Sequence, residues 1–205
     1  MVRPRFARLP PEQQQAILQA ALDEFAARGF HDASLNQVIE AAGISKGSMY
    51  YYFDGKEDLY AYVAQTELER LFDRLGPFPV PSEADVDAFW STLEGYYLRL
   101  MTALAESPQL AALFRGVIAS SRNPALQQAQ QEAEQAVLPW MEHALAVGQR
   151  IGAVRTDLPS GLLIAVVFGM GQAMDSWLIT QQPDQKDLPR LIGTLIDMIR
   201  GAIKP

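Results

Sequence analysis

Between Ser34 and Glu57 the chain carries helix start and stop signals spaced too closely for anything but short helices. Ser34-x-x-Gln37 has the capping-box pattern, in which a hydroxyl and an amide satisfy free N–H groups reciprocally. Leu35, Val38, Ile39 and Ala42 then fall on one face, and Gly43 supplies a left-handed stop. Ser45 opens a second short helix two residues later, with Ile44 as the core plug of the turn. Asp54-x-x-Glu57 repeats the capping pattern, so another helix is predicted from near Gly55 to about Leu75. Upstream, a helix is predicted from Pro11, a proline at the first helical position, to Gly29. Its Leu18, Leu22 and Phe25 form an apolar face. Two short helices joined by a glycine turn and packed on a third make a helix-turn-helix.

The helix that begins at Ser45 has an unusual outside. With Met49 as the inward reference and about 100° per residue, Tyr52 and Phe53 stay near the core. Gly47, Ser48, Tyr50 and Tyr51 point outward, with Lys46 at the leading edge. This face suits a DNA groove. Gly47 lets the backbone come close to base edges, and Lys46 reaches a guanine acceptor or a phosphate. The hydroxyls donate to phosphate oxygens, which positions rather than specifies. The first turn offers free N–H groups to phosphates. Lys56 is a cation in a first helical turn, where the dipole disfavours one, and a phosphate nearby would remove the objection. Ser34 caps a helix whose start also approaches the backbone, and Asn36 is placed to read a base. Singly, the serines are ordinary caps and Lys56 an ordinary surface lysine; jointly they fit DNA better.

Net charge works against a nonspecific nucleic-acid coat. The 205 residues carry −7, and residues 1–60 hold six cations against eight acids, a net of −2. The case for DNA therefore rests on where the cations sit. The chain has no cysteine, which removes disulfides, thiolate metal sites and cysteine nucleophiles. Its two histidines, His31 and His143, are far apart in sequence, so no metal is expected. Gly169-Met170-Gly171 follows no strand and lacks a third glycine, so close packing explains it better than a nucleotide site. No acid–base pair stands out, and an enzyme is not expected. The longest uncharged apolar run, Gly161 to Gly171, falls short of the roughly 20 residues a membrane span needs. A soluble cytoplasmic protein with no secretory signal and no cofactor is expected.

The remaining chain reads as helices near 83–106, 108–121, 124–150, 159–181 and 187–203, about nine helices in an all-α fold. Pro139 is expected to kink or split the third of these. Ala165, Gly169, Ala173 and Ser176 make a stripe of small residues. Leu191, Ile192, Leu195, Ile196, Met198 and Ile199 give the last helix more apolar surface than one neighbour covers. A symmetric homodimer interface including Ala165, Gly169, Ala173, Leu191, Leu195 and Ile199 is expected, with burial in a monomer as the competing reading.

The segment "ASLNQVIEAAGISKGSMYYYFDGKEDLYAYV", Ala33 to Val63, resembles the DNA-binding signature of the TetR family of bacterial transcription regulators. The strong resemblance runs from Ala16 to Leu68, and Tyr52 stands where many members carry histidine. It implies DNA contacts from Ser34, Asn36, Ser45, Lys46, Gly47, Ser48, Tyr50, Tyr51 and Lys56. It also implies a DNA-binding domain at 1–54 and a larger ligand-binding and dimerisation domain at 55–205. An apolar or aromatic effector would bind a cavity there, with Trp90, Tyr97, Met101, Phe114, Trp140, His143, Met174 and Trp177 as lining candidates and His143, Gln172 and Asp175 as polar anchors. The implied function is a repressor released from a palindromic operator by that effector. Two alternatives stay open: a DNA-binding dimer without a ligand, and an all-helical small-molecule binder that does not bind DNA.

Overall fold

The computed structural model describes residues 5–80, 85–119 and 124–205, and every regular element among them is helical. The nine helices are α1 (Pro11–Asp32), α2 (Leu35–Ala41), α3 (Lys46–Tyr52), α4 (Lys56–Leu75), α5 (Val86–Ala105), α6 (Pro108–Ala119), α7 (Pro124–Arg150), α8 (Ser160–Gln181) and α9 (Leu188–Ile203). Short 3₁₀ turns stand at Phe6–Arg8 and Gln185–Asp187. The fifth helix begins at Val86 because Asp85 caps it, its carboxylate accepting from the Ala88 N–H at 2.7 Å. The expected start at 83 and end at 121 lie outside the described residues.

Local chemistry accounts for most boundaries. Gly29 breaks the regular dihedrals of α1 at φ 70°, a conformation that costs glycine little. Gly43, at φ 65°, reverses the chain between α2 and α3. Ser45 caps α3 as its spacing predicts, accepting from the Ser48 N–H at 3.0 Å. The other two caps differ from expectation. Ser34 makes no side-chain cap bond; its own N–H donates to Glu24 at 2.8 Å, ten residues upstream. At Asp54 the N–H donates to Asp58 rather than to Glu57. Nor does Pro139 split α7, which runs unbroken through it. Pro139 and Gln135, whose carbonyl loses its helical donor, are both exposed, so water takes over that carbonyl.

The chain forms two compact units. The first comprises the described parts of Met1–Phe72 and Ser107–Glu132. There α1 packs on α2 and α6, around a core that includes Ile17, Phe25, Met49, Phe53 and Tyr60. Tyr60, fully buried, donates to the Leu113 carbonyl at 3.0 Å, and Gly116 leaves room for its hydroxyl. The second unit comprises the described parts of Asp73–Glu106 and Ala133–Pro205, where α9 packs on α5 and α8. These packing units cut the chain differently from the sequence boundary at 54, because α4 as far as Phe72 and all of α6, which packs on α1, fall in the first unit.

α8 is apolar on nearly every side. It is the one helix among the described residues long and apolar enough to cross a membrane, yet only 17% of its most apolar window is buried. Leu162, Val166 and Trp177 are exposed.

Candidate nucleic-acid interface and ligand cavity

α3 is short, but its backing is firm. Met49 and Phe53 are buried behind it, and Phe6 packs 4.9 Å from the Phe53 ring and 5.5 Å from Tyr62. Tyr52 leans on Phe6 at 6.0 Å and is half-buried, as its register predicts. The opposite side is open. Lys46 and Gly47 are exposed, Ser48 is half-buried, and Tyr50 and Tyr51 keep 46% and 48% of their surface. A Cβ on Gly47 would meet only the Ser45 hydroxyl at 3.7 Å, so the space in front of it is clear. Ser45 and Ser48 share a hydroxyl–hydroxyl bond of 2.8 Å, which occupies one of their two donor hydrogens. Asn36 is exposed on α2 and Ser34 half-buried at its start.

Two cations sit differently from the sequence reading. Lys56 donates to the carbonyls of His31 at 2.8 Å and Ala33 at 3.1 Å, and lies 5.0 Å from the Phe30 ring. Its charge therefore caps the C-terminal end of α1, where the dipole favours a cation. No phosphate is needed to explain it. Arg5, which the register argument did not single out, stacks 4.2 Å over the Tyr51 ring on the outward face of α3. Buried Phe6 pins it there. The signal was Arg5-x-x-Arg8 enclosing Phe6 just upstream of α1; the partner of Arg5, Tyr51, lies 46 residues away.

The second unit forms a partly open cavity of about 310 Å³ between α5, α7, α8, α9 and the 78–79 segment. Of the expected lining residues, Trp90, Tyr97, Trp140 and Met174 are in its wall, together with Gln172 and Asp175. Four candidates are not. Met101 is buried elsewhere, Phe114 belongs to the first unit, and His143 and Trp177 are exposed on the outer sides of α7 and α8. Helical periodicity does not tell which of two apolar sides faces a cavity. Phe78 stacks on Trp140 at 5.0 Å, and Trp140 donates to the Pro79 carbonyl at 2.9 Å, closing one side. The wall is almost wholly apolar. Its charge chemistry is one pair: Tyr97 donates to Asp175 at 2.7 Å. Burial pushes the Asp175 carboxyl above the ordinary carboxylate range, and the Tyr97 bond opposes that. The Tyr97 hydroxyl is pushed up in turn, by burial first and then by the neighbouring carboxylate. The Trp90 Nε1 and Tyr96 hydroxyl are buried with no partner among the described residues and have essentially no accessible surface of their own.

Of the expected dimer residues, Ala165, Gly169 and Ala173 are exposed together on α8. Leu191 and Leu195 are half-buried. Ile199 is a correction: it is buried within its own unit and lines the cavity, because the wide apolar surface of α9 is shared between α5 and that space.

The sequence model for bacterial regulatory proteins of the tetR family matches residues 17–63, which contain α2, α3 and their turn. The tetR-family match thus covers the helix-turn-helix segment of this chain. Its TetR segment is 47% identical over 57 residues to the HTH-type transcriptional regulator RutR of Escherichia coli strain K12, a match that covers 28% of this chain and 27% of RutR. The chain thus aligns with about a quarter of the length of that relative. A longer, fainter similarity, 22% over 191 residues, links it to the fatty acid metabolism regulator protein of Bacillus subtilis, covering 91% of this chain and 93% of that protein. The crystal structure of the transcriptional regulator FadR from Bacillus subtilis in complex with stearoyl-CoA superposes with a TM-score of 0.67 at 21% identity, over 90% of this chain and 96% of that one. At that identity the likeness is one of fold.

Proposed function

We propose that this protein is a sequence-specific DNA-binding transcriptional regulator, working as a cytoplasmic homodimer and as a repressor released from a palindromic operator by a small molecule. It is a regulator rather than an enzyme. The observation that carries this reading is the outward face of α3: Lys46, Gly47, Tyr50 and Tyr51 exposed on a helix whose inner side is wholly committed to the core, with Arg5 stacked beside them. A face built of glycine, phenols and two cations has no use in a core and fits the major groove. Lys46 and Gly47 meet base edges or phosphates; Ser34, Asn36, Ser45, Ser48, Tyr50 and Tyr51 complete the contact set. Lys56 belongs to it as a helper, tying the end of α1 to the start of α4.

The exposed apolar side of α8 supports the dimer. A patch centred on Leu162, Ala165, Val166, Gly169 and Ala173 is what an isologous interface needs, and small residues let two copies of α8 approach closely. Two copies would present two recognition helices to half-sites one helical turn apart, or a multiple of it. The cavity supports the effector. A ligand that prefers the conformation in which those helices are wrongly spaced weakens the grip on DNA by its preference between the two states.

Selection of bound fragments from random duplex DNA by the full-length chain tests DNA reading and symmetry together. The expected product is a two-fold symmetric motif. Enrichment of no sequence at all would reject the reading, and an asymmetric single half-site would reject the dimer. Ala173→Glu, which places a charge on the exposed α8 stripe, is expected to shift the protein to monomer in sedimentation velocity.

A further inference from the structure

We infer that the occupant of the cavity is a lipophilic cation, an organic ammonium with an aromatic or aliphatic body, held by the carboxylate of Asp175. The inference rests on the reading of this cavity as the effector site and names the chemical class that fits it.

Three observations converge. First, among the described residues Asp175 is the only acid in the wall, and the wall holds no lysine, arginine or histidine. This carboxylate is half-buried with no basic side chain lining the cavity, and its hydrogen-bond donor among the described residues is the Tyr97 hydroxyl at 2.7 Å. Enclosed charges are ordinarily paired. A cation brought in by the ligand supplies what the protein does not. Second, the rest of the wall is aromatic and aliphatic. Phe78, Trp90, Tyr96 and Trp140 line the space, and the stacked Phe78–Trp140 pair forms one side. Ring faces attract organic cations and bury their carbon. Third, the same wall repels the opposite charge. A carboxylate or phosphate on the ligand would meet Asp175 and no basic side chain. The Trp90 and Tyr96 donors, which lack accessible surface, do not change this balance. The ligand class thus differs from an acyl-CoA, whose phosphates carry negative charge.

The Tyr97 bond has a part in this arrangement. It holds one carboxylate oxygen from the side of α5, leaving the other oxygen of Asp175 to the ligand.

The test uses the full-length protein and three one-ring probes matched in size: benzyltrimethylammonium, its uncharged carbon isostere neopentylbenzene, and phenylacetate. Binding is read by quenching of tryptophan fluorescence, since Trp90 and Trp140 stand in the wall, and by isothermal titration. The wild type is expected to bind the ammonium at least tenfold more tightly than the isostere, and phenylacetate least of all. Asp175→Asn keeps the shape and an acceptor for Tyr97. It is expected to lower ammonium affinity at least tenfold, to the level of the isostere, and to leave the isostere unchanged. Equal binding of ammonium and isostere by the wild type would overturn the cation inference while leaving the cavity as a ligand site. Preference for phenylacetate would do the same. Binding of none of the three would overturn the inference and the effector reading with it. The wild-type ranking decides the matter even where Asp175→Asn fails to fold.

Discussion

α3 and α8 solve opposite problems. On α3 the apolar side chains turn inward onto Phe6 and the α1–α4 core, and the polar and phenolic groups turn out. On α8 apolar groups turn out as well as in, and the one charged side chain, Asp175, turns toward a cavity. A helix that is apolar all round is ordinarily buried. One that is apolar all round and mostly exposed asks for a second cover. The difference teaches where each function draws its energy. On the proposed reading the α3 face acts through several exposed, salt-screened contacts of modest size, each added to a rigid backing. On the proposed reading the α8 site acts through a single half-buried charge in an apolar wall, where it is less screened than at the open surface.

Five substitutions break or sharpen that contrast. The largest effect is expected from Phe6→Ala, which empties the backing of α3. Truncating a buried phenylalanine costs about 3–5 kcal/mol, and a terminal segment that can loosen places this site at the lower end. Urea unfolding measures the loss, and Arg5 should leave Tyr51 with it. If stability is unchanged, the α3 face does not rest on that anchor. Gly116→Ala is next. Its new methyl meets the Tyr60 hydroxyl, which is buried and hydrogen-bonded and cannot swing away. Overpacking of this kind costs about 1–3 kcal/mol, less what alanine returns in helix propensity. Adding Tyr60→Phe removes the clashing atom, so the double variant is expected to recover most of the loss. A double variant worse than both singles would disprove the clash.

Lys46→Ala is expected to weaken operator binding by about 1–3 kcal/mol if the side chain meets a base, and relaxed preference at one operator position would identify which. Fluorescence anisotropy across single-base operator variants reads both. Lys56→Ala separates two roles. As a helix cap it should cost about 1 kcal/mol of stability, with the salt slope of DNA binding intact. A phosphate contact would instead lower that slope by about 1. The smallest change is expected from Asp175→Asn without ligand. Folding raises the carboxyl above its unfolded value, so it favours the protonated form. That contribution is whole below the unfolded carboxylate range, near ~3.9, and fades as pH rises through the raised folded value. The variant should therefore match wild type at acid pH and gain on it toward neutral. Thermal melts across that range that stay parallel would contradict an enclosed carboxylate.

The outward face of α3 was legible because everything needed to place it lies within one short helix. Met49 as the inward residue settles the directions of Gly47, Tyr50 and Tyr51 through helical geometry alone. Helix ends were legible for the same reason wherever the signal was local, as at Gly43, Ser45 and the proline starts. Where a local signal competed with a distant partner, the distant partner won. Ser34 gives its N–H to Glu24, and Lys56 reaches across to α1. The cavity was only half legible. Trp90 and Trp140 turn into it and Trp177 turns away from it, and on α8, apolar on nearly every side, no polar face marks which side that is.

By itself the sequence determined the helical class, the positions of the breaks and the outward chemistry of α3, since these follow from dihedral preferences and a period of 3.6 residues. Tertiary structure alone decided the rest. It set Arg5 on Tyr51, paired Tyr97 with Asp175 across 78 positions, and left α8 uncovered on one side. Such contacts depend on which helix faces meet, and a single helix carries no record of its neighbour's orientation.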